Sequence, residues 1–148
     1  MSVYVVDSSV AAKWFFKEEF SDIALRLFDK SDELHVPDFM LLELDNVVCK
    51  RIRRREIDQK EGDIIRKSIR HFPLNKHDFK LLLDSSYQIA NRTRSSIYDC
   101  LYVALAITID GKLVTADKRF YNSVNKGQLI NQVIWIEDFG KPLKMSNL

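Results

Sequence analysis

Four acidic side chains occupy positions where a chain of alternating strands and helices builds an active site. They are Asp7, Glu43, Asp99 and Asp117, in the segments VYVVDSSV, LLELDNVV, SIYDCLYVALA and KLVTADKRF. A carboxylate at the end of an apolar strand, or beside a buried helix, is costly unless a positive charge meets it. Because the candidate ligands are oxygens and not thiols or imidazoles, the pattern predicts a shared Mg²⁺ or Mn²⁺ ion.

Two of these acids follow segments that are predicted to be parallel strands. Val3–Val6 is a short apolar, β-branched run that ends at Asp7, and Lys112–Thr115 is a similar run that ends just before Asp117. Ligands of open parallel sheets bind beyond the carboxyl ends of the strands. We therefore expect Asp7 and Asp117 to lie close together at one end of the sheet.

The remaining elements predict an α/β fold. Further strands are predicted at 34–36 and 133–136. Helices are predicted at 21–30, 38–55, 58–71, 76–92 and 97–109, with Asp38 capping the second of these, Ser95 or Ser96 capping the last, and an additional first helix capped by Ser8 or Ser9. The order of strands and helices is typical of a parallel sheet covered by helices.

The other two acids are placed by helix geometry. At about 100° per residue, Glu43 falls just outside the apolar arc of helix 38–55, beside Asn46 and Lys50, where it can face a cleft. Helix 97–109 is apolar nearly all round and should be buried. Asp99, in its first turn, would then need compensation for its charge.

Each acid also has an ordinary structural interpretation. The segment Ser96-x-x-Asp99 is close to a capping box, in which an acid near the start of a helix is favourable without a metal, and Asp7 could likewise cap the helix that follows it. Glu43 could be an ordinary exposed helix residue, and Asp117 could be a turn residue. The chain has 21 Asp and Glu residues, so some coincidences are expected. The metal site is favoured because three of the four acids fall at the same predicted end of the sheet.

Length and composition describe an ordinary globular chain. Its 148 residues, 46% of them hydrophobic and 30% charged, fit a single domain over 1–148, in which about the last ten residues form a loose tail. No apolar run approaches the roughly 18–20 residues of a membrane span, and the N-terminus lacks the basic start of a signal peptide. We expect a cytoplasmic protein with no membrane partner, in which Cys49 and Cys100 are buried thiols. The net charge of +2 says little about partners.

Taken together, the four segments resemble those of PIN-domain ribonucleases of the small VapC-like toxin type. The matching features are the hydrophobic-Asp-Ser-Ser start, the LLELDNVV helix, the YDxxYxALA helix and the TADKRF turn, in the same order along most of the chain. The resemblance implies a three-layer α/β/α sandwich with a central parallel sheet.

The resemblance also implies an activity and a set of site residues. A member of this family cuts single-stranded or looped RNA with Mg²⁺ or Mn²⁺, which lowers the pKa of a bound water and clamps the phosphate. The four acids carry over as catalytic and metal-binding residues by matching their own motifs. Thr115 matches a supporting hydroxyl position, and so, less closely, does Ser9.

The expected partners of the chain are RNA, an antitoxin protein and a second copy of the chain. Basic residues that could steer RNA flank the two later acids: Arg92, Arg94, Lys118 and Arg119. No aromatic stacking surface is recognisable in the sequence, so no base-specific contact is predicted. By resemblance, an antitoxin would dock a helix or extended segment beside the site, and the chain would form a homodimer.

Three other functions are weighed against the nuclease. A haloacid-dehalogenase-like phosphatase would use Asp7 as its nucleophile, but that family has a second Asp where this chain has Ser9. A receiver domain needs paired acids near the first strand, and Asp7 stands alone. A catalytically inactive PIN-like binding or scaffold module would be marked by loss of one or more acids, and all four are present.

Overall fold

A parallel sheet of five strands forms the centre of the computed structural model, which describes residues 2–28 and 32–140. The strand order is β3-β2-β1-β4-β5. Helices cover both faces, so the predicted three-layer α/β/α sandwich is confirmed. The strands are β1 (Val3–Val6), β2 (Glu33–Pro37), β3 (Asn75–His77), β4 (Lys112–Thr115) and β5 (Val133–Trp135).

Seven α-helices connect these strands in the described part of the chain. They are α1 (Ser8–Ala11), α2 (Ser21–Leu25), α3 (Phe39–Arg53), α4 (Gln59–His71), α5 (Leu83–Thr93), α6 (Ile97–Thr108) and α7 (Lys118–Val124). Short 3-10 segments follow or precede several of them, at Ala12–Trp14, Arg26–Phe28, Phe79–Leu82, Gly127–Leu129 and Ile136–Asp138.

The strand order reverses between β1 and β4, and this point positions the site. From β1 the chain builds outward through β2 to β3, whereas β4 lies on the other side of β1 and is followed by β5. Val6 pairs with Val114, so the residue after β1 lies opposite Thr115, the last residue of β4. Such a reversal opens a crevice beyond the carboxyl ends of the strands, where ligands of these folds bind.

The core lies around the two central strands and α6. Val5 and Val6 of β1 and Leu113 and Val114 of β4 are fully buried, as their unbroken apolar runs predict. Every side chain from Cys100 to Ala106 of α6 is also buried, which confirms the expectation from its composition. Gly111, between α6 and β4, lies close against β1, and only glycine fits there because a Cβ would lie 2.8 Å from the carbonyl oxygen of Val3.

Several local predictions are wrong. The predicted helix 76–92 begins as a strand, because β3 pairs with β2 and only Leu83–Thr93 is α-helical. Asp7, and neither Ser8 nor Ser9, is the N-cap of α1. Asp38 stands at the N-cap position of α3, but its side chain accepts a hydrogen bond from Phe79 N instead of from the helix.

Two other expectations concern the chain termini and the thiols. The predicted loose tail falls largely on 141–148, which lies outside the described residues, and Phe139 at its start is buried against Tyr4. Cys100 is buried as expected, whereas Cys49 is exposed. Within 2–28 and 32–140, none of the helices has the length and apolar character that a membrane span requires.

Candidate acidic site

Asp7 is the most deeply placed of the four acids. Its carboxylate accepts hydrogen bonds from Ser9 Oγ at 2.6 Å, from Val10 N at 3.1 Å and from the Thr115 hydroxyl. Asp7 therefore caps α1 and also connects β1 to β4. The two predicted hydroxyl residues, Ser9 and Thr115, are both in direct contact with it.

The hydroxyl groups of Ser9 and Thr115 also accept hydrogen bonds from backbone N–H groups that follow β4. Ser9 Oγ accepts a hydrogen bond from Ala116 N at 3.0 Å, and Thr115 Oγ1 accepts one from Asp117 N at 3.1 Å. The turn after β4 is thereby connected to the Asp7 carboxylate through the side chains of Ser9 and Thr115. Burial raises the pKa of Asp7 from 3.8 to about 6, even though the hydrogen bonds from Ser9, Thr115 and Val10 act in the opposite direction.

Glu43 reaches the site from α3 and is held by α6. The Tyr102 hydroxyl donates a hydrogen bond to Glu43 Oε1, and the Ser8 side chain also acts to lower the pKa of Glu43. Burial, followed by the charges of Asp99 and Asp7, raises the pKa of Glu43 to about 7. The prediction that Glu43 faces a cleft and not the bulk solvent is consistent with this half-buried position.

Asp99 lies in the first turn of α6, where Ser96 is the N-cap. Ser96 Oγ accepts a hydrogen bond from the backbone N–H of Asp99 at 3.1 Å, so the predicted cap is present. The carboxyl group is half-buried, and burial together with the charge of Asp117 raises its pKa. Asp99 therefore both takes part in the helix start and carries an unfavourable charge.

Asp117 is the most exposed of the four. It is the N-cap of α7, and its carboxylate accepts a hydrogen bond from Phe120 N at 3.0 Å. Together with Asp99 it lines a cavity of about 330 Å³, to which Arg94 and Arg119 also contribute. Asp117 thus has an ordinary structural role, as a helix N-cap in the turn after β4, and this role coexists with its place beside Asp99.

The four acids interact through space as one set. Asp7 and Glu43 repel each other, both repel Asp99, and Asp99 in turn repels Asp117. Among the residues that the structure describes, no three acidic, histidine or cysteine side chains are grouped closely enough to form a metal site by themselves. The donors that the four acids offer are carboxylate oxygens, the ligand type that hard divalent cations take.

The four candidate RNA-steering residues are divided among three places on the surface. Arg94 and Arg119 line the cavity with Asp99 and Asp117. Arg92 lies instead at a separate depression with Lys126 and Leu129, and Lys118 Nζ lies 4.5 Å from the centre of the Trp135 ring. Of the four, Arg94 and Arg119 are the two that line the cavity beside the acids.

The sequence reasoning missed Tyr102 and Ser8 as site residues. Tyr102 is 1% exposed on an otherwise apolar helix, and a buried hydroxyl needs a hydrogen-bond partner. This requirement could have identified Tyr102 as a candidate site residue from the sequence. The histidines lie apart from the acids: His35 Nδ1 is 2.8 Å from His77 Nε2 across β2 and β3, and His71 is at the exposed end of α4.

Comparison with known proteins identifies the family. The PIN domain model matches residues 4–124, which includes all four acids. Ribonuclease VapC3 of Pyrobaculum aerophilum is 32% identical over 117 residues, covering 78% of this chain and 89% of that protein.

Solved structures of low sequence identity share the fold. VapBC2 from Rickettsia felis, solved bound to a DNA fragment from its promoter, has a TM-score of 0.58 at 20% identity and covers 83% of this chain and 94% of the matched one. The Mycobacterium tuberculosis toxin VapC20, described as cleaving the sarcin-ricin loop, has a TM-score of 0.60 at 16% identity over 76% of this chain and 86% of the other. With its acids at the carboxyl ends of a parallel sheet, this chain belongs to the PIN-domain family and is of the VapC type.

Proposed function

We propose that this chain is a Mg²⁺- or Mn²⁺-dependent endoribonuclease and the toxin of a toxin–antitoxin pair. The observation that carries the proposal is the set of mutually repelling acids at the crevice between β1 and β4, three of which have raised pKa values. Such a set is unfavourable for folding unless a cation neutralises it, and perturbed acids of this kind are concentrated at functional sites.

The donor chemistry fits a hard divalent cation. Asp7, Glu43, Asp99 and Asp117 offer only carboxylate oxygens, and Mg²⁺ is commonly held by one or two carboxylates with water and substrate phosphate completing its shell. When bound, the ion would supply an activated water and charge stabilisation at the phosphate.

The protein's own residues position these carboxylates. Ser9 and Thr115 hold both oxygens of Asp7, so its carboxylate is fixed relative to the sheet. Tyr102 fixes Glu43 in the same way. Fixed acceptors need little reorganisation during the reaction, which is the main protein contribution in phosphoryl chemistry.

The cations that line the cavity suit an anionic polymer. Arg94 and Arg119 line the same cavity as Asp99 and Asp117, so a phosphate in it would have two guanidinium groups within the same lining as the acids. Arginine binds phosphate through paired donors in a planar fork. We assign the steering role, which was predicted for four basic residues, to these two.

The partners follow from the relatives' own descriptions. A relative is named a ribonuclease, one neighbour is described as a toxin that cleaves the sarcin-ricin loop, and others were solved as toxin–antitoxin complexes. The proposal therefore includes an RNA substrate, a protein antitoxin and a cytoplasmic location where RNA is present. It also includes a homodimer, which a sedimentation measurement at about tens of micromolar protein would check.

RNA cleavage with matched aspartate variants tests the proposal. The purified protein should cut single-stranded or stem-loop RNA in Mg²⁺ or Mn²⁺ and stop in EDTA. Asp7→Asn and Asp99→Asn should each lower the rate by orders of magnitude, whereas Asp110→Asn, an exposed position just beyond the other end of α6, should not. Cleavage that persists in EDTA, or that survives Asp7→Asn, would contradict the proposal.

A further inference from the structure

Two aromatic side chains from distant parts of the chain form a stack beside the acidic site. The rings of Phe39 and Tyr98 are 5.5 Å apart between centroids and inclined by 19°. Phe39 is half-buried and is supported by Phe79, with ring centroids 5.9 Å apart. Tyr98 is 57% exposed. The Phe39–Tyr98 stack therefore presents one aromatic ring to solvent on a fixed aromatic base.

Helix geometry places this stack next to the acids. Phe39 lies one turn before Glu43 on α3, and Tyr98 lies one turn before Tyr102 on α6. Residues one turn apart share a helix face. Since Tyr102 is hydrogen-bonded to Glu43, the Phe39–Tyr98 and Glu43–Tyr102 contacts are successive links between the same two helices, about 6 Å apart along them.

We propose that the Phe39–Tyr98 stack binds one nucleobase of the RNA that enters the acidic site. Bases stack on exposed aromatic rings with little dependence on sequence, because every base has a π-face. Phe39 holds the Tyr98 ring in one orientation, so little side-chain freedom is lost when a base packs against it. This proposal rests on the proposed function and adds a substrate contact to it.

The charges around Tyr98 favour RNA over an apolar protein partner. Asp99 follows Tyr98 directly, and the cavity that Asp99 lines also contains Arg94 and Arg119. The first turn of α6 thus carries both the exposed aromatic ring and an acid that shares a cavity with two arginines. Proteins that bind single-stranded nucleic acid combine these two features, cations for the backbone and rings for the bases.

The test compares two exposed tyrosines in RNA binding. Tyr98→Leu keeps an apolar side chain but removes the ring, Tyr98→Phe keeps the ring, and Tyr87→Leu is the matched control at a tyrosine that is 58% exposed on α5. All are made in the Asp7→Asn background, so that a short single-stranded RNA is not consumed while its affinity is measured by fluorescence anisotropy in Mg²⁺. The same RNA carrying 2-aminopurine reports stacking directly through fluorescence quenching.

We expect Tyr98→Leu to weaken RNA binding by about 5- to 150-fold and to abolish the quenching. Tyr98→Phe should bind within about twofold of its parent, and Tyr87→Leu should be unchanged. Equal affinity of Tyr98→Leu and its parent would overturn the proposal, as would equal losses at both tyrosines. A Tyr98→Leu protein that binds RNA normally but loses a protein partner would assign the ring to that partner instead.

The design separates this proposal from the nuclease proposal. If the unmutated protein cuts RNA and Tyr98→Leu binds it normally, only the stacking contact is wrong. If RNA binds through Tyr98 but is never cut, the nuclease proposal fails and the stacking contact stands. If the unmutated protein neither binds nor cuts RNA, both fail. Thermal melts of each variant exclude a folding defect as the cause of lost binding.

Discussion

Tyr102 of α6 donates a hydrogen bond to Glu43 of α3, and the two residues are 59 positions apart in the chain. Tyr102 is 1% exposed, so its hydroxyl has little access to water. The bond satisfies a buried donor and at the same time favours the ionised form of a carboxyl group that burial disfavours. The contact therefore serves the fold and the acidic site together.

Tyr102→Phe should destabilise the protein in a pH-dependent way. Without the hydroxyl, the pKa of Glu43, already raised to about 7 by burial, should rise further because its main hydrogen bond is lost. At pH 8 the ionised carboxylate then lacks a partner, and unfolding free energy should fall by about 1–3 kcal/mol. At pH 5 the carboxyl group is protonated and the loss should be smaller. Urea unfolding at both pH values, with exposed Tyr87→Phe as the control, measures this, and equal losses would contradict it.

Asp7 gives the metal-free protein a second pH dependence. Its folded-state pKa is raised by burial from 3.8 to about 6, so its contribution to stability is fully present below about pH 4 and is lost as the pH rises through 6. That rise in pKa corresponds to about 3 kcal/mol. In EDTA, wild type should therefore lose about this much stability relative to Asp7→Asn between pH 4 and pH 8.

Asp7→Asn should change the stability in two ways, only one of which depends on pH. Asn cannot accept hydrogen bonds from both Ser9 and Thr115 as the carboxylate does, so the variant should carry a penalty that does not change with pH. The change with pH is therefore the informative quantity, measured by chemical unfolding at several pH values. A constant difference between the two proteins would show that Asp7 titrates normally.

Much of the fold was predictable because local sequence and tertiary structure agree. Buried strands such as Val3–Val6 and Lys112–Thr115 are continuous apolar runs, and α6 is apolar all round. The strand β3 was missed because Asn75–His77 is a polar edge strand of three residues with no apolar pattern. Its existence depends on pairing with β2, which no local property of these residues reveals.

The candidate site was predictable to the extent that its residues lie at the ends of recognisable elements. Asp7 and Asp117 follow strands that are adjacent in the sheet, so their proximity could be inferred from the fold class. The contacts made by Tyr102 and Tyr98 could not be located, because each joins α6 to α3 and depends on how the two helices pack. For the same reason the sequence could not show that Lys118 lies against Trp135 instead of facing the acids.

Asp45 should show the opposite pH dependence to Asp7. Burial raises its pKa, but hydrogen bonds from Arg66 and Arg70 outweigh this and hold the pKa below 3.8. The stabilisation of the fold by the ionised Asp45 is therefore present above about pH 4 and is lost as the pH falls through the lowered pKa of Asp45. Asp45→Asn should cost about 1 kcal/mol at pH 7, since it breaks a two-arginine link between α3 and α4, and less near pH 2.

Chemical unfolding of Asp45→Asn beside Asp110→Asn measures this link. Asp110 is exposed and adopts a positive φ of 53°, a conformation that Asn tolerates well, so its replacement should be nearly neutral. A cost for Asp45→Asn that does not decrease at low pH would contradict the assignment. Asp45 lies on the same helix as Glu43, but because its replacement breaks this link, Asp45→Asn is a poor control for Glu43 variants in cleavage assays.

Asp99→Asn and Ser96→Ala should separate the metal site from the helix cap. Ser96 Oγ accepts its hydrogen bond from the backbone N–H of Asp99, so Asp99→Asn leaves that cap in place. It removes a charge whose pKa is raised by burial and by Asp117. The metal-free melting temperature of Asp99→Asn should therefore equal or exceed that of wild type, whereas Ser96→Ala should lose about 1 kcal/mol.

The stabilisation by a divalent metal should be larger for Ser96→Ala than for Asp99→Asn. A divalent cation at about 100 times its dissociation constant stabilises a fold by about 2.7 kcal/mol, which for a chain of this size raises the melting temperature by roughly 5–10 °C. Ser96→Ala should keep this full shift, because its carboxylates are intact, and Asp99→Asn should lose most of it. If Asp99 acts only at the helix start, Asp99→Asn should instead melt lower than wild type in EDTA and respond to Mg²⁺ as wild type does. Thermal melts of the three proteins in EDTA and in Mg²⁺ distinguish the two roles without any RNA, so they test the cation site independently of cleavage.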